Sequence, residues 1–397
     1  MINAAAMFAT VYRTIGLVLM VVVLAVFVAY VIVNVRWTGK PELGSELEVA
    51  ANRKPYYDDE TLEGPKLDKS LTVGLLTLVV LAVGLPFYWI MEPARQENAA
   101  GNFNRQFTER GEAMFAPTGD NLQALNCAGC HGSEGVGGVA PFNRTLPNGD
   151  IEPVEWRAPA LNTVLLRHSR EEVTFILTFG RPGTPMPAWG VEGGGPLNEQ
   201  QVQNLVDYLE SIQLSPDEAQ QQAQEALDAA MALNADDGRP LFGSEGEALF
   251  NLGLVQSDAT DVSCSRCHTN GWSFFELETV GTEEVDGQEQ SIYSRESYDE
   301  IAEISGCGGA FAPNLCDGAT ERQFPEEADH VTFITDGSEN GIGYGVTGQG
   351  DGLMPGFGFR PQEEALWWIN GGQARDPSPG VLTAEMIEAI VDYERDL

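Results

Sequence analysis

The amino-acid sequence predicts an all-α protein in which two N-terminal transmembrane helices precede two copies of one small helical domain. Three observations lead to this prediction. Two long apolar runs lie near the N-terminus, a five-residue cysteine–histidine motif occurs twice beyond them, and the segments around that motif recur in the same order. We therefore expect an anchored protein whose chemistry resides in the repeated part.

The two apolar runs are long enough to cross a membrane as helices. Thr14 to Val35 and Ser70 to Met91 contain no charged residue, and about 20 apolar residues span the hydrocarbon core of a bilayer. A cleaved signal peptide is the alternative for the first run, but its apolar core exceeds the usual length and no small-residue cleavage pattern follows it. Pro86 is tolerated in a membrane helix when neighbouring groups satisfy the released carbonyl.

The basic residues predict how the two helices are oriented. The N-terminal tail holds Arg13 alone, whereas the loop between the runs is rich in basic residues. Because basic loops remain in the cytoplasm, we expect a multi-pass protein of the cell membrane with both termini and the repeated domains on the extracytoplasmic side. The basic residues of the loop are Arg36, Lys40, Arg53, Lys54, Lys66 and Lys69.

A C-x-x-C-H motif occurs at residues 127–131 and again at 264–268. This motif is the attachment site of c-type haem, in which two thiols add across the haem vinyl groups and the histidine becomes the proximal iron ligand. Structural cysteine pairs and zinc ligands are the alternatives, but a zinc ribbon requires its second pair about 15–20 residues after the first. The sequence thus predicts two covalently bound haem c groups and no catalytic residues. The predicted ligands are Cys127, Cys130 and His131 in the first copy and Cys264, Cys267 and His268 in the second.

The segments around the two motifs indicate an internal repeat. Each copy has a glycine and an aromatic residue before the motif, an Ala-Pro segment after it, a V-T-F-I segment, a Met-Pro segment and a final V-D-Y. The matching segments are 111–115 and 246–250, 158–161 and 312–315, 173–176 and 331–334, 186–190 and 354–358, and 206–208 and 391–393.

The repeated unit resembles the class I cytochromes c, and the resemblance covers both copies from end to end. That family folds as a few helices around one haem, with its first and last helices crossing where a glycine permits close approach. The resemblance implies that Gly111 and Phe115 meet Tyr208 in the first copy, as Gly246 and Phe250 meet Tyr393 in the second. The predicted organisation is residues 1–35 as tail and transmembrane helix 1, 36–69 as cytoplasmic loop, 70–91 as transmembrane helix 2, 92–104 as tether, 105–214 as cytochrome c domain 1, 215–239 as exposed helical connector and 240–397 as cytochrome c domain 2 with insertions.

The resemblance also implies the sixth ligand of each iron, which is the methionine of the Met-Pro segment. This assigns Met186 opposite His131 and Met354 opposite His268. A thioether ligand raises the reduction potential and leaves no open iron position for oxygen or peroxide. A core methionine is the alternative for each. Other methionines, Met114 and Met231 among them, do not lie in a Gly/Pro-rich loop before the last helix.

Further residues are assigned around the irons. Pro159 and Pro313 resemble the family proline whose carbonyl accepts the Nδ1–H of the proximal histidine, and a plain turn proline is the alternative. Trp156, Arg157 and Trp189 are candidate neighbours of the haem propionates, although surface or core roles fit them as well. Bis-histidine ligation would need His168 or His330, which we interpret as helix-start or surface residues.

Two cysteines remain outside the motifs, Cys307 and Cys316, at the join between an acidic insertion and a glycine-rich one in the second copy. Outside the cytoplasm a disulfide is their expected state, and it would close a short loop. Two thiols or a site for another metal are the alternatives.

The net charge of −37 argues against nucleic acid as a partner, because phosphate repels such a surface. Every lysine lies between residues 36 and 69, so that arginine is the only cationic residue type among the many acids of the repeated part. Two interpretations remain open for this acidic surface, docking of a basic redox partner or adaptation to salt.

These features predict a membrane-anchored dihaem electron carrier of a respiratory chain, with no substrate chemistry of its own. It resembles the dihaem cytochrome c subunit of actinobacterial-type menaquinol:cytochrome c reductases, which implies cytochrome b and Rieske subunits and a terminal oxidase as partners. The predicted anchor differs from that of the family. The family subunit commonly carries a C-terminal membrane helix, whereas the two apolar runs of this chain lie near its N-terminus. A free-standing or oxidase-associated anchored carrier is the alternative. A dihaem peroxidase is a third hypothesis, which the two Met-Pro segments disfavour.

Overall fold

The structure, a computed structural model, describes the chain from residue 63 onward with several gaps. The described ranges are 63–255, 262–285, 287–309, 312–338, 343–346, 348–349, 354–359 and 380–397, with isolated helical positions between 22 and 33. The first predicted membrane helix lies outside them apart from those isolated positions, as does nearly all of the cytoplasmic loop. The chain divides into two compact units, residues 1–98 and 99–397.

A long helix, α1 (Pro65–Phe115), contains the second predicted membrane run. Of the described helices, this one is long and apolar enough to cross a membrane. It continues through Pro86 and Pro93, and the residues 92–104 that were predicted to form a tether are helical. That segment contains three alanines and two glutamates, which favour helix, and Glu92 pairs with Arg95 along it.

Within the second unit, we call the residues from the end of α1 to Ser211 the first domain and those after Arg239 the second domain; a helix lies between them in the chain. Single-turn 3₁₀ helices lie at Ser133–Gly135, Val164–Leu166, Val191–Gly193 and Trp272–Phe274. The remaining elements are α2 (Ala128–His131), β1 (Gly138–Thr145), β2 (Ile151–Ala158), α3 (Arg170–Phe179), α4 (Glu199–Ser211), α5 (Pro216–Met231), α6 (Glu245–Phe250), α7 (Ser265–His268), β3 (Thr279–Val285), β4 (Gln288–Tyr293), α8 (Arg295–Ala302), α9 (Ala319–Gln323), α10 (Glu327–Asp336), β5 (Gly343–Tyr344), β6 (Gly348–Gln349) and α11 (Ala384–Asp396).

Three antiparallel hairpins depart from the predicted all-α fold. They pair β1 with β2, β3 with β4 and β5 with β6. The loop between β1 and β2 contains Asn148-Gly149, a sequence that favours a tight turn, and Gly149 has a positive φ of 92°, as has Gly287 before β4, with 81°. These turn signals were present in the sequence, but the flanking strands contain proline or many acids and do not show a clear apolar alternation.

The helix crossing implied by the resemblance is present in both domains. A Cβ atom on Gly111 would overlap the carbonyl oxygen of Asn204, and one on Gly246 would overlap that of Ala389, so that only glycine permits these approaches. The ring centroids of Phe115 and Tyr208 lie 5.1 Å apart, and those of Phe250 and Tyr393 lie 5.3 Å apart. Each domain therefore packs its last helix against an aromatic and a glycine at the same relative positions.

The connecting helix α5 is not exposed on all sides, and the expectation of an exposed connector is wrong for one of its faces. Ala219, Ala223 and Leu227 are buried in the core that also contains Leu166 of the first domain and Phe250 of the second. Their spacing of four residues places them on one helix face, and the small alanines allow close packing. The helix begins with a capping box at Ser215 and has proline at its first position.

Candidate functional site

Each C-x-x-C-H motif folds as one helical turn. In the first domain the amide of His131 donates to the carbonyl of Cys127 at 2.9 Å, and in the second the amide of His268 donates to that of Cys264 at 3.0 Å. The turn brings the two cysteines and the histidine of one motif onto a single short segment.

The Cys127 thiol lies in a largely apolar environment. Burial raises the pKa of this thiol to about 11, and the neighbouring Cys130 adds to the increase. The group is therefore protonated at neutral pH.

The proximal histidines are held by the two prolines that the sequence singled out. The carbonyl of Pro159 accepts the Nδ1–H of His131 at 2.9 Å, and the carbonyl of Pro313 accepts the Nδ1–H of His268 at 3.0 Å. Because a carbonyl can only accept, the proton of each neutral ring is on Nδ1 and the lone pair is on Nε2. That tautomer is the one in which Nε2 can ligate a metal, and the hydrogen bond fixes the ring orientation.

The two Met-Pro segments make similar backbone contacts with the end of the helix that precedes them. The amide of Arg181 donates to the carbonyl of Met186 at 3.1 Å, and the amide of Ser338 donates to the carbonyl of Met354 at 2.9 Å. Each loop folds back onto the glycine that ends the preceding helix, Gly180 or Gly337, where φ is 69° or 77°. A Cβ atom there would lie 2.8 or 2.7 Å from the methionine carbonyl oxygen. Both methionine side chains are partly buried against the core of their own domain.

The two other histidines differ from each other. His168 precedes the N-cap of α3 as predicted, and burial lowers its pKa to about 3, with smaller effects from Arg167 and Arg181. The surface interpretation of His330 is wrong. The residue is 2% exposed and its Nε2 lies 3.0 Å from Oε2 of Glu394. A glutamate on the buried face of the last helix was the signal in the sequence that could have located this pair.

The remaining candidate residues lie in three places. Cys307 and Cys316 are joined in a disulfide with their Cα atoms 4.9 Å apart. Trp189 packs on the core of the first domain. Trp156 and Arg157 lie where the first domain meets the second, with the Trp156 and Phe274 ring centroids 5.3 Å apart. In the part of the chain that the structure describes, no cluster of three or more His, Cys, Asp or Glu residues could hold a metal ion.

These residues fit a covalently bound haem. The evidence is the donor set itself, because each domain combines two cysteines on one turn with an imidazole whose Nδ1 is held by a proline carbonyl and with a methionine whose backbone lies against the glycine that ends a helix. The cysteines would hold the group through thioether bonds, and the histidine and methionine would be its axial ligands. Structural cysteine pairs would require neither the histidine nor its carbonyl partner.

Comparison with known proteins supports this interpretation for the first domain. Residues 109–213 match the family model described as cytochrome c. Cytochrome c55X from Stutzerimonas stutzeri is 30% identical over 90 residues, which cover 23% of this chain and 61% of that relative. No solved structure matches the chain. Residues 109–213 therefore form a cytochrome c domain, and a domain of this family binds haem c covalently and functions in electron transfer.

Proposed function

We propose that this chain is a membrane-anchored electron carrier that binds two haem c groups, one in each domain. The observation that carries the proposal is the duplicated environment of the two motifs. In both, a proline carbonyl accepts the histidine Nδ1–H, and a methionine loop folds onto a left-handed glycine. Haem c supplies a one-electron iron couple when it is bound.

The protein's own residues would hold the group and orient its iron ligands. Cys127, Cys130, Cys264 and Cys267 make the covalent attachment, while the carbonyls of the two prolines keep the proximal imidazoles in one orientation. Met186 and Met354 would serve as the sixth iron ligands and leave no position open for oxygen or peroxide, so we expect the chain to carry electrons and to perform no substrate chemistry.

The membrane anchor belongs to the same proposal. The apolar segment of α1 supports one spanning helix, and the uncharged run from Thr14 to Val35 supports a second. The basic loop between them favours a cytoplasmic position, which leaves both termini and both haem domains on the extracytoplasmic side.

The haem count tests this function most directly. Pyridine haemochrome analysis of the purified full-length chain is expected to find two haems per chain. The variant Cys127→Ala/Cys130→Ala is expected to retain one, and so is Cys264→Ala/Cys267→Ala. One haem in the wild-type chain, unaffected by the second variant, would contradict the dihaem proposal and leave a carrier with a single haem.

We further propose that the chain is the cytochrome c subunit of a quinol:cytochrome c reductase, in which it receives electrons from a Rieske protein and passes them towards a terminal oxidase. The two tandem sites and the strongly acidic outer part favour this role. A pull-down from native membranes in mild detergent is expected to recover cytochrome b and a Rieske protein. Recovery with oxidase subunits alone, or of the chain by itself, would favour a free-standing or oxidase-associated anchored carrier instead.

A further inference from the structure

The two domains meet at a group of arginine and aromatic side chains, which we call the junction cluster. It comprises Trp156 and Arg157 at the end of β2, and Arg266, Trp272 and Phe274 of the second domain. Two hydrogen bonds cross the boundary in opposite directions. The Arg157 Nη1 donates to the carbonyl of Trp272 at 2.7 Å, and the Arg266 Nη1 donates to the carbonyl of Arg157 at 3.0 Å.

The indole of Trp272 interacts with both guanidinium groups. The side chain is fully buried, and its ring centroid lies 4.7 Å from Cζ of Arg266 and 5.4 Å from Cζ of Arg157. The two arginines repel each other, and burial together with this repulsion lowers the pKa of Arg157 to about 10. The aromatic ring and the two carbonyls offset that cost. Arginine is suited to this place because its planar group can stack on the ring and donate at the same time.

The junction cluster is directly connected to both haem-attachment sites. Arg157 is two residues before Pro159, whose carbonyl accepts the Nδ1–H of His131 at 2.9 Å. Arg266 lies inside the second motif, next to Cys267. A continuous path of bonds therefore leads from the His131 ring through Pro159 and the Arg157 carbonyl to Arg266 and Cys267, and it contains only two hydrogen bonds.

From this arrangement we propose that Arg157 and Arg266 are positioning residues, which lock the two haem-attachment segments against each other for electron exchange between the domains. The inference rests on the proposed dihaem function. Packing alone does not account for the location of the contact, because it joins the backbone beside one proximal ligand to the attachment motif of the other site.

A matched control exists within the second domain. Arg295 donates to the carbonyl of Leu241 at 3.0 Å and lies 5.7 Å from the ring centroid of Tyr298. It also donates to the Pro240 carbonyl and pairs with Asp237 and Asp299. Its guanidinium therefore makes the carbonyl and ring contacts of the junction cluster and ion pairs in addition, yet none of these contacts reaches the first domain. Arg295→Gln thus removes at least as many polar contacts as a junction substitution does, without removing a contact across the boundary.

The test compares Arg157→Gln with Arg295→Gln in the full-length holoprotein. Pulse radiolysis introduces one electron, and the rate at which it equilibrates between the two sites is followed at several protein concentrations to isolate the intramolecular phase. Arg157→Gln is expected to lower this rate about tenfold, the factor that corresponds to one charge-assisted hydrogen bond, whereas Arg295→Gln leaves it unchanged. An unchanged rate in Arg157→Gln, or equal losses in both variants, would overturn the proposal.

Two further variants separate charge from geometry. Arg266→Lys keeps the positive charge but cannot reproduce the planar contact, so it should keep the midpoint potentials of the wild-type protein while lowering the exchange rate. Arg266→Gln should lower both, because a nearby positive charge favours the reduced form. A rate restored to the wild-type value by lysine would show that charge alone is responsible and would refute the positioning role. A haem count of one per chain would instead refute the proposed function itself.

Discussion

The two domains share a helix crossing but differ in what they bury behind it. In the first domain, Val173 of α3 and Leu209 of α4 both belong to the apolar core. In the second, the equivalent positions hold His330 and Glu394, which are 2% and 3% exposed and hydrogen-bonded at 3.0 Å. The same backbone arrangement thus accepts either an apolar pair or a polar one.

The equivalence of these positions rests on the backbone contacts of the methionine loops. The amide of Trp189 donates to the carbonyl of Leu177, and the amide of Phe357 donates to that of Ile334. The contacts place Leu177 and Ile334 at equivalent positions. This structural alignment of the two helices differs by one residue from the alignment of their V-T-F-I segments. In that alignment, His330 takes the place of Val173.

The polar pair is accommodated by residues that only the second domain has around it. The His330 ring stacks on Phe324, with 5.1 Å between centroids, and the Thr320 hydroxyl donates to the Glu394 carbonyl at 2.9 Å. The two domains thus share the backbone geometry around the C-x-x-C-H motif although their cores differ in chemistry. A buried polar pair is less stabilising than an apolar one unless its partners satisfy it.

Removing one member of the polar pair should produce the largest effect. Glu394→Ala leaves the His330 imidazole buried without its partner, so we expect the free energy of unfolding of the second domain to fall by about 3–5 kcal/mol. Urea unfolding of the full-length holoprotein measures it. The control is the double variant His330→Val/Glu394→Leu, which copies the first domain and should match or exceed the wild-type stability. Equal losses in both variants would show that the two cores are not interchangeable.

The disulfide is a second feature found in the second domain but not in the described part of the first. The bonded cysteines are nine residues apart, and closing so short a loop is worth about 2–3 kcal/mol in the chain-entropy model. Cys307→Ser/Cys316→Ser should lower the free energy of unfolding by that amount. A reducing agent should destabilise the wild-type protein in the same way and leave the variant unchanged. Equal sensitivity of the variant to the reductant would contradict this assignment.

The glycines of the helix crossings should matter equally in both domains. Alanine at Gly111 or Gly246 would force the backbones apart, because the new Cβ would overlap a carbonyl oxygen of the last helix. We expect each substitution to cost about 1–3 kcal/mol in urea unfolding. Gly101→Ala is the control, since a Cβ there meets no atom within 4 Å. A tolerated alanine at either crossing would mean that the two crossings are not equivalent.

The smallest effect is expected from a feature of the first domain alone. Arg170 bridges Asp207 and Glu210 between α3 and α4, and the equivalent position in the second domain is Glu327, which has no such role. Because the pair is partly exposed, Arg170→Gln should cost at most about 1 kcal/mol. The difference from wild type should shrink as salt is raised. A loss that does not depend on salt would indicate packing by the arginine stem instead.

The sequence by itself determined the chemistry of each site. The cysteines and the proximal histidine lie within one helical turn, so their residue types and spacing predict the attachment motif directly. The proline and methionine assignments came from the resemblance, and the structure brings the proline carbonyls to the histidines as that resemblance implied. The cytochrome c prediction is confirmed for residues 109–213.

The tertiary structure alone decided which distant residues meet. His330 and Glu394 are 64 residues apart in the chain, and Arg157 and Arg266 are 109 residues apart. The buried face of α5 likewise became apparent only when both domains were packed against it. Local spacing determines what one turn of helix can bind, but contacts between elements depend on how each helix is rotated and shifted. A one-residue shift between matching helices was enough to place a histidine where the first domain has a valine.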